Sequence, residues 1–277
     1  MKKDNIFLAI WRCGYPMLLH LAMTFVVIFG YMFLIAFWIG LNSFTNLDVT
    51  GITEQITESY MEHALILLLV TSGICIPIFA LLYRADERKR EKSCEKETSK
   101  WAWALLVVLA VTLCVSLNLL VGMSGLEKLS KSYQDVATTL YSGGFVVEII
   151  TVGILGPICE ELVFRAMMFR RLCGYVKPIF AIVISALMFG IYHGNIVQGV
   201  YAFLLGVIMA LCYEYFKTLW APILIHVVAN IVSVCITEIT ILGNTLGNRN
   251  VSFACAIGTT LIWILIMVYF MRKNKRK

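Results

Sequence analysis

Charge is scarce in this sequence. Asp, Glu, Lys and Arg make up 14% of its 277 residues while 60% are hydrophobic, against about 25% charged in an ordinary water-soluble domain. A single soluble core of this size cannot hide so much apolar surface. Regular cysteine spacing is also missing. The nine cysteines, at positions 13, 75, 94, 114, 159, 173, 212, 235 and 255, form no CxxC pair or framework and read as small buried hydrophobes. There is no HExxH pair, the helical zinc signature of many metalloproteases, and no internal repeat of the kind that builds many transporters from inverted halves.

What is present is a series of apolar runs about twenty residues long, enough to cross ~30 Å of hydrocarbon at 1.5 Å per residue. Mean hydropathy is +0.84. The expected fold is an all-α, polytopic transmembrane bundle of about eight spans, at 17–40, 63–83, 101–122, 145–169, 179–194, 197–216, 220–242 and 252–271, forming one membrane domain over residues 1–277. The first span follows a basic N-terminus but lacks a convincing small-x-small cleavage site, so it reads as a retained helix. Residues 84–100 mix seven basic and five acidic side chains and read as a solvated cytoplasmic loop.

The net charge of +6 reflects topology and gives no reason to expect a nucleic-acid partner. Nineteen Lys and Arg residues fall on one set of connections and ends, while the alternate set holds only Lys128, Lys131 and Arg249. Basic residues near span ends are retained on the cytoplasmic side. Both termini are therefore expected in the cytoplasm of an integral protein of a bacterial-type plasma membrane.

Ionisable groups within hydrocarbon cost about 2.5–3.5 kcal/mol each on insertion scales, so they need a partner or a task. They concentrate here in the second half of the chain. Glu161 and Arg165, four apart on a helix, share a face and can pair, while Glu160 is rotated about 100° away and left free. Such a carboxylate, in an apolar cavity beside a helix weakened at Gly156-Pro157, suits a general base. His226 and Asn230 are also four apart and can present an imidazole and an amide to a developing oxyanion. His193 comes from a third helix. Measured along straight helices from the basic ends, Glu160 lies about 15 Å deep, His193 about 22 Å and His226 about 9 Å, so convergence requires tilting or kinking. His20 and His63 read as structural, Glu148 as reaching the interface, and Tyr192, Glu214 and Glu238 have no evident role.

In order along the chain, Glu160-Glu161-x-x-x-Arg165, Phe189-x-x-x-His193 and His226-x-x-x-Asn230 resemble the motifs of the CPBP family of intramembrane proteases, which includes CAAX prenyl endopeptidases and bacteriocin-processing or immunity proteins. The resemblance covers roughly residues 140–240. It implies that Glu160 and His193 activate water, that His226 and Asn230 hold the oxyanion, and that Glu161 and Arg165 support them. It also suggests a hydrophobic, lipidated (CAAX-type) or small peptide-precursor substrate; cleavage is expected in or near the cytoplasmic half of the bilayer. Metal-independent water activation is the expectation, with a zinc ion held by Glu160, His193 and His226 as the alternative. Membrane lipid is an expected partner, and oligomeric state is left open. Two rival classes are a secondary transporter, because Glu and His within spans also make proton relays, and a non-catalytic immunity or scaffold protein that keeps the protease fold.

Overall fold

A computed structural model describes residues 5–42, 49–89, 99–141, 143–238 and 249–275. Among them every regular element is helical, as hydrocarbon requires of a chain whose backbone groups must be satisfied within each segment. The long elements are α1 (Ile6–Asn42), α2 (Val49–Arg88) and α3 (Lys100–Ser124). Two short helices, α4 (Leu126–Leu129) and α5 (Lys131–Leu140), lead into a composite helix α6 (Phe145–Leu172). The remainder are α7 (Pro178–Tyr192), α8 (Ile196–Phe216), α9 (Trp220–Glu238) and α10 (Arg249–Lys275).

Six of these helices are long and apolar enough to cross a bilayer, or seven if α5 and α6, which meet at 110°, count as one broken span. The expected count of about eight is therefore approximate. The reason is α7, whose 15 residues reach only about 22 Å at 1.5 Å each and so fall short of the hydrocarbon thickness. The charged stretch after α2 is also shorter than expected. Residues 84–88 are a continuation of α2, while 90–98 lie outside the described residues.

The helical continuation has a physical cause. Asp86 accepts a 2.7 Å hydrogen bond from Arg171 Nε, and Glu87 pairs with Arg170 at 2.6 Å. Arg171 also donates to the Arg12 carbonyl at 2.6 Å and to the Tyr15 hydroxyl at 3.0 Å. These contacts bring the start of α1, the end of α2 and the end of α6 to one end of the bundle. Arg170 stacks over Tyr213, Trp103 meets Phe216, and Phe216 meets Phe270. The start of α3 and the ends of α8 and α10 thus lie at the same basic end. Lys2 and Lys3, and the tail at 276–277, lie outside the described residues.

The bundle interior is built around α6, which packs against α1, α2, α7 and α9. From Val163 through Phe169 no side chain of α6 is more than 2% exposed. Tight helix packing without a water-driven hydrophobic effect relies on small residues. A Cβ added to Gly190 on α7 would sit 2.6 Å from the Gly199 carbonyl oxygen on α8. Between these helices the chain turns in three residues, with Gly194 at φ 73° and Asn195 Oδ1 accepting the Gln198 amide at 2.9 Å as an N-cap.

Candidate active site

The helix α6 is not uniformly α. Residues Ile149–Leu155 and Leu162–Phe169 are π-helical and flank an α-helical turn at Gly156–Glu161. In the first π segment the Gly156 amide donates to the Thr151 carbonyl, five residues back. Continuing that register would give the Val152 carbonyl the amide of residue 157, but Pro157 has no N–H. The Val152 oxygen accepts instead from Asn230 Nδ2 on α9 at 2.9 Å. A proline in the sequence thereby fixes a side chain from another helix, and π-helical turns of this kind recur at functional sites.

One turn further, Glu161 and Arg165 form an i,i+4 ion pair at 2.9 Å, with both side chains fully buried. The same oxygen, Glu161 Oε1, lies 2.9 Å from His226 Nδ1, a contact that helical spacing within one segment could not reveal. Arg165 also lies 4.4 Å above the Phe189 ring. Its Nε and Nη2 have no hydrogen-bond partner among the described residues, and the room for Nη2 comes from Gly206, where a Cβ would stand 2.9 Å away.

Glu160 points elsewhere, into a cavity of about 370 Å³, and retains 20% side-chain exposure. His193, His226 and Asn230 line the same cavity. His226 Nε2 is 3.6 Å from Glu160 Oε2, too long for a hydrogen bond. His193 Nδ1 is 2.8 Å from the Phe189 carbonyl. A carbonyl only accepts, so Nδ1 carries the proton and Nε2 of the neutral ring is a free base. The Phe189 ring stands edge-on to both imidazoles, 4.8 Å from His193 and 5.6 Å from His226. The unequal depths of straight helices are reconciled by a short α7 and an irregular α6.

Three expectations change. Glu148 does not reach the interface: it is fully buried and accepts the Gly144 amide at 3.1 Å, closing the start of α6. Tyr192 has a partner, because its hydroxyl lies 2.5 Å from His20 Nδ1. The cavity also lies away from the basic end. Asn118 and Val121 on the far end of α3, Tyr133, Val136 and Leu140 on α5, and Gln198 at the start of α8 line it. Those are the ends remote from Arg171, and the site's opening follows from α7 and α8 meeting there.

The zinc alternative at Glu160, His193 and His226 fits poorly. Their donor atoms do not close to within 4.8 Å of one another; among the described residues only His20, Cys75 and Cys159 form such a group. Cavity residues that sequence reasoning missed include Asn118, Tyr141 and Tyr201. All lie outside the three motifs, and no local spacing marks them.

Comparison with known proteins places these observations. YdiL, a provisionally named membrane peptidase of Bacillus subtilis, is 26% identical over 181 residues, covering 64% of this chain and 73% of YdiL. The membrane-embedded CAAX protease MroQ of Staphylococcus aureus is 28% identical over 187 residues, again 64% of this chain and 73% of the relative. No solved structure matches. Residues 142–232, which span all three motifs and the π-helical turns between them, match the type II CAAX prenyl endopeptidase Rce1-like family, so this polytopic membrane chain carries a domain similar to that family of membrane proteases.

Proposed function

We propose that the chain is an intramembrane endopeptidase that hydrolyses a peptide bond with water activated by Glu160 and His193. The observation that carries this reading is the 3.6 Å gap between Glu160 Oε2 and His226 Nε2 at the wall of the cavity. One carboxylate is left for proton transfer while its neighbour Glu161 is committed to Arg165 and His226.

In this mechanism Glu160 takes up the proton of the attacking water, which the free Nε2 of His193 orients by accepting its other O–H. The carbonyl oxygen of the scissile bond gathers negative charge as water adds, and Asn230 and His226 receive it. Asn230 spends one amide proton on Val152 and has a second to donate. His226, with Nδ1 held by Glu161, turns its Nε2 edge to the oxyanion and donates there when that nitrogen carries a proton. The proton on Glu160 then passes to the leaving amine. No step requires a metal ion at these residues.

The substrate class follows from the setting. A hydrophobic or lipidated peptide segment, of CAAX type or from a small peptide precursor, enters from lipid between helices, with residues 140–240 as the protease core of a single membrane domain over 1–277. The basic end faces the cytoplasm, together with both termini, so the cavity opens toward the opposite half of the bilayer.

Purified wild type and Glu160→Ala in detergent, assayed on hydrophobic and prenylated peptides with and without a chelator, test the proposal. Wild type is expected to cleave and the variant to lose about 10²- to 10⁴-fold in kcat, by the same factor with and without the chelator. Equal activity in both proteins would eliminate Glu160 as the base. Biological function that survives Glu160→Ala would support the scaffold reading.

A further inference from the structure

A second cluster of chemically capable side chains lies outside the cavity and plays no part in the mechanism above. His20 on α1, Cys75 on α2 and Cys159 on α6 bring one imidazole nitrogen and two sulfurs within 4.8 Å of one another, and all three residues are buried. None of them lines the cavity. We propose that these residues form a structural zinc site that ties α1 and α2 to the helix carrying Glu160.

The donor chemistry favours this ion. Two thiolates and an imidazole are a soft set of the type zinc takes. Loss of both thiol protons on binding gives Zn²⁺ with two thiolates and a neutral imidazole, a group of zero net charge, which suits a hydrocarbon-embedded interior where an uncompensated charge is costly. Tetrahedral zinc at about 2.3 Å to sulfur and 2.0–2.1 Å to nitrogen places its donors roughly 3.5–3.8 Å apart, a contraction of at most about 1.3 Å from the observed limit. The second shell is also present. Tyr192 OH lies 2.5 Å from His20 Nδ1, leaving Nε2 for the ion and fixing the ring as outer partners of metal-bound imidazoles do. Met23 Sδ, 3.7 Å from Cys75 Sγ, covers the group on the α1 side.

The fold supplies a reason for such a tie. Among the described side chains of α1 only Cys13, Pro16, His20 and Ile39 are buried, so most of that helix lies outside the packed interior and is held along one side by α2 and α6. Helices in lipid lack a hydrophobic force between them. A bond from His20 to two other helices anchors α1 at mid-length. Cys159 is the residue before Glu160, and Tyr192 is the residue before His193, so the tie also positions two residues of the cavity.

The test is metal analysis of the full chain purified in detergent without chelators, alongside Cys75→Ser with Cys159→Ser, Glu160→Ala, and Cys212→Ser as a buried-cysteine control. A single zinc ion per chain is expected in wild type, Glu160→Ala and Cys212→Ser, and none in the double serine variant. Cobalt reconstitution of metal-stripped wild type, which needs no variant to fold, should give a thiolate-to-cobalt charge-transfer band. Absence of both zinc and that band in wild type would overturn the site. So would zinc retained by the double serine variant, zinc lost from Glu160→Ala instead, or copper found in place of zinc.

Discussion

Glu161 satisfies two buried partners with a single oxygen, and this makes it the residue whose replacement separates structure from chemistry. Its Oε1 lies 2.9 Å from both Arg165 Nη1 and His226 Nδ1. Glu161→Gln leaves the fully buried guanidinium without its counter-charge, and removing one member of a buried pair costs about 3–5 kcal/mol. The variant is expected to unfold markedly more easily in detergent. Adding Arg165→Met removes the stranded charge and should recover most of the stability, as replacement of a whole buried pair commonly does. Activity should not return with it, because His226 still lacks the carboxylate that orients its ring. Thermal unfolding and peptide cleavage measured on the two proteins check this. Recovery of both would reduce Glu161 to a packing residue.

At the scale of single helices, the irregular register of α6 explains how its neighbours are placed. Pro157→Ala supplies an amide proton at the position where the π register of α6 would use it, so the Val152 carbonyl gains an intrahelical partner and Asn230 loses one. We expect a lower kcat with little change in folding. We also expect non-additivity with Asn230→Ala, the double variant being about as slow as the worse single one, as for residues acting through one contact. Additive losses would separate Pro157 from Asn230. The α7–α8 contact responds in the opposite way, through stability. Gly190→Ala drives a Cβ to 2.6 Å from a backbone oxygen, whereas Gly199→Ala meets one at 3.2 Å. The first should cost about 1–3 kcal/mol, in the range of overpacking, and the second clearly less, read as a shift in unfolding temperature.

These helices also show what a sequence discloses and what it withholds. The i,i+4 rule is local, so the Glu161–Arg165 contact and the divergence of Glu160 could be read directly from spacing. Apolar run lengths marked the helical segments, but not that α7 is too short to span or that α2 runs on to Arg88 through ion pairs with α6. Depths counted along straight helices kept Glu160 and His226 apart, because a π-helical turn leaves no signal except a proline whose missing amide matters only in that register. The His20, Cys75 and Cys159 group was invisible for another reason. Its members are 55 and 84 residues apart in the chain, and only tertiary packing gives scattered cysteines a common neighbour.

For the molecule as a whole, the two ends of the bundle differ in charge and in access to the cavity. The end marked by Arg12, Arg170 and Arg171 is knit by ion pairs to Asp86 and Glu87. The cavity reaches the other end beneath α5 and the α7–α8 turn. If basic residues are retained in the cytoplasm, the proposed substrate arrives from the opposite side, and this orientation is open to test. Cysteines introduced at Lys131 on α5 and at Lys273 near the end of α10 report the two ends separately. With a membrane-impermeant maleimide, Lys131→Cys should label in intact cells, and Lys273→Cys only after the membrane is opened. The reverse pattern would invert the molecule and place the mouth of the cavity in the cytoplasm. Labelling of both in intact cells would mean that the two positions share the outer side, which the path of α10 from the cavity end to the basic end does not allow.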